Sequence, residues 1–346
     1  MRHHRGTSPT MWVLFVVLLL VATLLTYRNH GGLGGRTHVA FPRTTTSVQA
    51  GSYTYDRLAR PARTAVRDSR GAIVATFTDG ARTVVFTGAL RTFREPKTTP
   101  AVIQTQAWVR FAPRPWKAGS ERMVWFRRWF PDAVADRSPD MLAIAMQYVT
   151  GAPVRRNEAG QLISGDAGFG PVNPGKLPGQ TDYRDENSDF YDYLGISYRF
   201  RNGTRKWPDE RHYGMVDCTG YLRLVLGHRM HYPLLSSNRH GRGLPRRAWA
   251  MDEVGPGVAI VPNRHQTATD IDALQPGDLL FFDLDRRDGA ASDHTGIYLG
   301  LDTDGHPRFL SSREEADGPT FGDIGGSARL DGKGYYALLW RAAKRL

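Results

Sequence analysis

Cys218 is the only cysteine in a chain of 346 residues, and it stands in the run Asp217-Cys218-Thr219-Gly220. The apolar positions that follow, Tyr221, Leu222, Val225, Leu226 and Met230, recur at helical spacing, which predicts a helix with Cys218 in its first turn. A thiol there feels the positive end of the helix dipole and the free backbone N–H groups of that turn. Both favour thiolate, the nucleophilic form, and the same N–H groups could hold a developing oxyanion. Asp217 is a suitable cap for such a helix. The competing reading is a buried packing cysteine, a common fate of a free thiol. A lone cysteine also excludes an intramolecular disulfide and a cysteine-rich zinc site.

A nucleophilic cysteine needs an imidazole beside the sulfur and a polar group to fix the ring tautomer. Asp293-His294 opens a strand pattern that runs through Thr295-Gly296-Ile297-Tyr298-Leu299-Gly300. Before it, Gln275-Pro276-Gly277-Asp278 turns into Leu279-Leu280-Phe281-Phe282. After it, the turn Asp302-Thr303-Asp304-Gly305 leads to Arg308-Phe309-Leu310-Ser311-Ser312, and Gly334 to Ala343 reads as a fourth strand. The expected unit is a helix followed by an antiparallel meander, with His294 at a strand mouth facing the helix N-terminus.

The order and spacing of DCTGYLRLV around Cys218, PGDLLFF at Pro276–Phe282 and HTGIYLG at His294–Gly300 resemble the NlpC/P60 family of papain-like cell-wall peptidases, over about residues 190–346. The resemblance implies an α+β fold in which the cysteine helix packs on an antiparallel sheet. It implies Cys218 as nucleophile and His294 as general base, in a cysteine peptidase acting on peptidoglycan stem peptides without metal or other cofactor. The family's third residue, usually His, Asn or Gln, falls on Ser311, with Ser312 and Asp293 as alternatives. Serine is a weak, uncharged partner for an imidazole. The chain also carries a long insert, 231–273, whose basic stretch Arg239–Arg247 and Pro-capped helix Pro245–Val254 suggest a lid or substrate wall. His212, His228, His231, His240 and His265 form no metal-ligand pattern.

Upstream, Ile73–Phe77 and Thr83–Phe86 flank a turn and read as a hairpin, and Ala101–Phe111 alternates again. Helical spacing follows over Glu121–Ala135, and Ser138-Pro139-Asp140 reads as the start of a helix through MLAIAMQYV. The aromatic stripe Trp125, Phe126, Trp129, Phe130 is expected to be core rather than a ligand platform. These residues make a β-rich unit with two helices at 53–150, joined by a loop-rich connection at 151–187 to a catalytic unit at 188–346.

Residues 1–10 are basic, and Met11–Tyr27 carries no charge in seventeen residues, which suits one membrane-spanning signal anchor more than a cleaved signal peptide. A Gly-, Thr- and Arg-rich linker, 28–52, would follow, with the bulk of the chain outside the cell membrane. The formal charge is +12, and of 46 basic residues 40 are arginine, so anionic envelope polymers or lipids are expected partners beside peptidoglycan. The arginines are dispersed and no nucleic-acid module is present, which argues against nucleic acid. Two alternatives remain: a non-catalytic murein-binding or structural envelope protein, and a thiol-dependent amidase or acyltransferase.

Overall fold

Alternating apolar residues over Tyr53–Phe111 build a six-stranded antiparallel meander in strict sequence order: β1 (Val48–Ala50), β2 (Tyr53–Leu58), β3 (Arg63–Arg67), β4 (Ile73–Thr78), β5 (Thr83–Arg94) and β6 (Val102–Phe111). One face of this sheet buries Tyr55, Val66, Ala75, Phe77, Val84 and Phe86. Helix α1 (Val124–Ala135) closes it. Phe126 and Phe130 stack at 4.7 Å and meet Phe77 edge-on or tilted, while Phe77 stacks on the fully buried Trp116 at 4.3 Å. The aromatic stripe is therefore the core of this sheet, where each ring removes a large apolar area from water. Helix α2 (Met141–Ala145) is capped by Asp140, whose carboxylate accepts the Ala143 N–H.

The computed structural model describes residues 48–50, 53–180, 182–285 and 289–346, all of which lie in the compact unit Arg43–Leu346. The expected span at 11–27, with the tail before it and most of the linker after it, lies outside the described residues. Among the described residues no helix is long and apolar enough to cross a membrane.

The expected α+β class, with a helix-bearing papain-like unit, is corrected: antiparallel sheets dominate and only 20 % of the residues are helical. The helical patterns shorten for local reasons. Glu121–Arg122 belongs to a 3-10 turn and the α-helix starts at Val124. The run from Gly334, expected as one strand through Ala343, instead opens as helix α6 (Tyr335–Leu339) and becomes strand β16 (Trp340–Arg345) where Trp340 turns extended at φ −67°, ψ 130°. Between the sheets lie the two-residue to three-residue strands β7 (Arg155–Arg156), β8 (Leu162–Ser164), β9 (Tyr198–Arg199) and β10 (Arg205–Lys206), with α3 (Phe190–Leu194).

A second six-stranded antiparallel sheet uses β11 (Val258–Val261), β12 (Leu279–Phe282), β13 (His294–Leu301), β14 (Pro307–Arg313), β15 (Gly318–Thr320) and β16 in the order β11-β16-β12-β13-β14-β15. Helix α4 (Cys218–Leu222) packs on β13 and β14, and α5 (Ala248–Glu253) on β13 and β16. Both faces of β12 are buried, as are all residues of β14 and β16.

The two sheets share a core. Ile103 and Val109 of β6 pack in one cluster with Tyr221, Phe281, Ile297 and Leu310. At their junction the buried Arg345 guanidinium clamps both carboxylate oxygens of Asp278 at 2.7 Å and donates to Thr78 at 2.6 Å. Gly277 makes the approach possible: its φ is +93°, and a Cβ there would meet Val109 Cγ1 at 2.5 Å. Removing one partner of such a pair leaves a buried charge uncompensated. Asp278→Ala is expected to lower stability by about 3–5 kcal/mol, read as a fall in the urea midpoint with an unchanged slope.

Candidate active site

Asp217 starts the helix that carries Cys218. Its carboxylate accepts the Gly220 N–H at 2.7 Å and the Thr219 hydroxyl at 3.0 Å, which satisfies donors that the first turn leaves free. Gly220 lets the turn lie against the preceding chain, since a Cβ there would meet the Ser188 carbonyl oxygen at 2.2 Å. Cys218 is thus the first residue of α4, as the spacing of the motif predicts. Beyond Leu222 the chain continues as a π-helical turn, Arg223–Arg229, rather than as the single α-helix expected.

Buried ion pairs surround this turn. Arg246 donates to both oxygens of Asp217, to Thr219, and lies 3.5 Å from Asp189. Arg223 donates from Nε to both oxygens of Asp189 at 3.0 and 3.1 Å. Burial works against the Arg246 charge, but the Asp217 and Asp189 carboxylates outweigh it and raise its pKa. Asp189 also accepts the Phe190 N–H within a reciprocal cap on α3.

His294 opens β13 on the strand that α4 packs against, paired with Phe282 of β12. Cys218 Sγ lies 3.9 Å from the carbonyl oxygen of Asp293, the residue next to His294. Both side chains are buried, at 6 and 7 % exposure. The imidazole packs between Phe282, at 5.9 Å, and Tyr336 of α6, at 5.7 Å. Among the described residues its Nε2 has no hydrogen-bond partner.

The candidate third residues are engaged elsewhere. Ser311 is buried, and its hydroxyl accepts from Arg313 Nε at 3.1 Å. Ser312 donates to the Val216 carbonyl at 2.6 Å, tying β14 to the segment that leads into α4. The Asp293 carboxylate accepts the N–H groups of Leu284 and Asp285. His306, next to the turn at 302–305, is partly buried and bonded to Asp331 at 2.8 Å.

Arg313 was not singled out by sequence reasoning, yet it shapes the site. Ile297 pairs with Leu310 and Tyr298 with Phe309, and this register carried along the strands brings Arg313 level with His294. A bulge between Tyr298 and Gly300 sets that register. The Arg313 guanidinium donates to the Gly326 carbonyl at 2.7 Å and lies 4.5 Å above the Tyr336 ring.

The electrostatics favour neutral groups. Burial, reinforced by the Arg313 charge, pushes the His294 pKa down to about 3. Burial raises the Cys218 thiol well above the ordinary range, helped by the Asp217 and Glu186 carboxylates and opposed by Arg246 and the Thr295 N–H. The resting thiol is therefore favoured over the helix-stabilised thiolate expected, with burial as the largest cause.

A cleft of about 750 Å³ runs past His294 and Asp293 and is lined also by Asp182, Glu186, Arg313, Glu314, Glu315 and Tyr336. Glu186 opens onto this cleft, while the surrounding protein, and then the Asp217, Glu314 and Asp293 carboxylates, push its pKa up to about 7. No pattern in the sequence marks Glu186, which reaches the site from a loop; Arg246 belongs to the basic stretch expected to form a lid or substrate wall, and it instead pairs with buried carboxylates beside Cys218. Among the described residues no group of His, Cys, Asp and Glu is placed to hold a metal ion. No family model, no curated protein sequence and no solved structure matches this chain.

The lowered His294 pKa has a consequence for stability. The unfolded chain binds a proton at His294 near pH 6.5, whereas the folded chain resists it down to about 3, so stability falls as pH drops through that window. His294→Asn is expected to flatten this part of the curve, measured as urea midpoints between pH 7 and pH 4.

Proposed function

We propose that this protein is a cysteine hydrolase of the cell envelope that cleaves amide bonds in peptidoglycan stem peptides, with Cys218 as nucleophile and His294 as base. The observation that carries the reading is the buried thiol at the first position of α4, 3.9 Å from the backbone oxygen of Asp293, which together with His294 lines an open cleft. The order of the three motifs, similar to that of the NlpC/P60 peptidases, supports the substrate class. The acidic side chains on the cleft favour a neutral or cationic stretch of peptide there over an anionic one.

The neutral resting pair suits concerted chemistry. His294 takes the thiol proton as sulfur attacks the carbonyl carbon, so thiolate forms only in the transition state. The oxyanion then faces the N–H groups at the start of α4. The imidazolium returns its proton to the leaving amine, and a thioester remains. His294 next deprotonates water, which attacks the thioester, and the thiol is restored. Phe282 and Tyr336 hold the ring by packing in place of a polar third group.

A second reading, a murein-binding protein without turnover, draws on the buried neutral thiol and the unpartnered His294 Nε2. Zymography with purified peptidoglycan separates the two. The wild type is expected to clear it, and Cys218→Ala and His294→Ala to lose clearing by at least a hundredfold. Clearing by Cys218→Ala would remove the thiol from the mechanism. Co-sedimentation without clearing by the wild type would favour the second reading.

A further inference from the structure

The insert 231–273 reaches the site through one side chain. Its first part closes on itself: Leu235 N–H donates to the Leu244 carbonyl at 2.9 Å, and Leu244 N–H to the Pro233 carbonyl at 2.8 Å. Asn238 accepts the backbone N–H groups of Arg246 and Arg247 at 3.1 and 3.0 Å. Arg223 donates to the carbonyls of Leu235, Leu244 and Pro245. The backbone that carries Arg246 is therefore fixed before its side chain meets any carboxylate. This guanidinium, 17 % exposed on its side chain, then bridges the cap of α4, Asp217, and the cap of α3, Asp189.

We propose that Arg246 is a positioning residue for Cys218: by bridging Asp217 and Asp189 it fixes the first turn of α4 where the thiol meets the Asp293 carbonyl and the Thr295 N–H, and it places a cation toward the sulfur. The inference rests on the reading of Cys218 as nucleophile. The groups facing that sulfur are Asp217 from its own helix, Glu186 from the loop before α3, Arg246 from the insert, the Thr295 N–H from β13, and Tyr336 from α6. Of these, Glu186 and Asp217 oppose ionisation, and Arg246 opposes them in turn. The insert thus contributes to the chemistry without touching substrate.

The test is the pH dependence of iodoacetamide alkylation of the full chain, wild type against Arg246→Lys and Arg246→Gln. Arg246→Gln is expected to raise the alkylation midpoint by about one unit, or roughly a tenfold slower reaction at a fixed pH below it. Arg246→Lys keeps the charge but cannot fork across two carboxylates, so a smaller rise is expected, with murein kcat lowered and KM unchanged. An unchanged midpoint in a folded Arg246→Gln overturns the proposal. Where that variant does not fold, Arg246→Lys decides: a raised midpoint supports the proposal, and an unchanged midpoint or a second failure to fold overturns it. A folded wild type that iodoacetamide does not alkylate overturns it as well. Alkylation reads the thiol without turnover, so a raised midpoint in a protein that never clears murein would sink the catalytic reading alone.

Discussion

Asp217 serves two masters at once. It caps the helix that begins with Cys218, and it accepts the buried Arg246 guanidinium, which also meets Asp189 at the cap of α3. Charges this deeply buried are tolerable only when each is paired and each remaining donor satisfied. The network meets that condition by gathering Arg223, Arg246, Asp189 and Asp217 with three carbonyls of the insert. Two helix starts and a loop are thereby held in one arrangement. The thiol's place beside β13 follows from this arrangement more than from α4, which has only five α-helical residues and little stability of its own.

The same low-dielectric surroundings determine the protonation of the pair. Water that would hydrate a thiolate or an imidazolium is excluded by Phe282, Tyr336 and the strand backbone, and Arg313 adds its charge against the imidazolium. Arg246 and the Thr295 N–H work the other way on the sulfur, and burial prevails. At rest the surroundings therefore favour the uncharged forms of both groups.

Much of the site was legible because it rests on local signals. Asp-Cys-Thr-Gly carries its own cap and its own close-approach glycine, and Pro-Gly-Asp its own turn, so α4 and β12 fall where those residues dictate. The strands at 73–78, 83–94 and 102–111 follow from alternation, although β5 runs on through an irregular stretch to Arg94. What could not be read depends on pairings distant in sequence. Arg246 finds Asp217 at a separation of 29 residues, and Arg345 finds Asp278 at 67. The run from Gly334 reads as one strand, yet Tyr335–Leu339 is helical and only Trp340–Arg345 joins the sheet, between β11 and β12, whose residues lie far upstream. The α+β expectation failed for this reason: tertiary pairing recruited segments whose local pattern was ambiguous.

The bulge between Tyr298 and Gly300 offsets two strands by one residue. Side chains along a strand alternate faces, so a single-residue offset decides which of them look toward a neighbour and which look away. Lengthening or shortening the tip at 302–306 leaves this phase intact. Deleting one residue between His294 and Tyr298 does not, because it would turn Arg313 away from the imidazole and bring Ser312 level with it. Insertions and deletions a few positions apart in this hairpin therefore have opposite fates, one neutral and the other a change of chemistry.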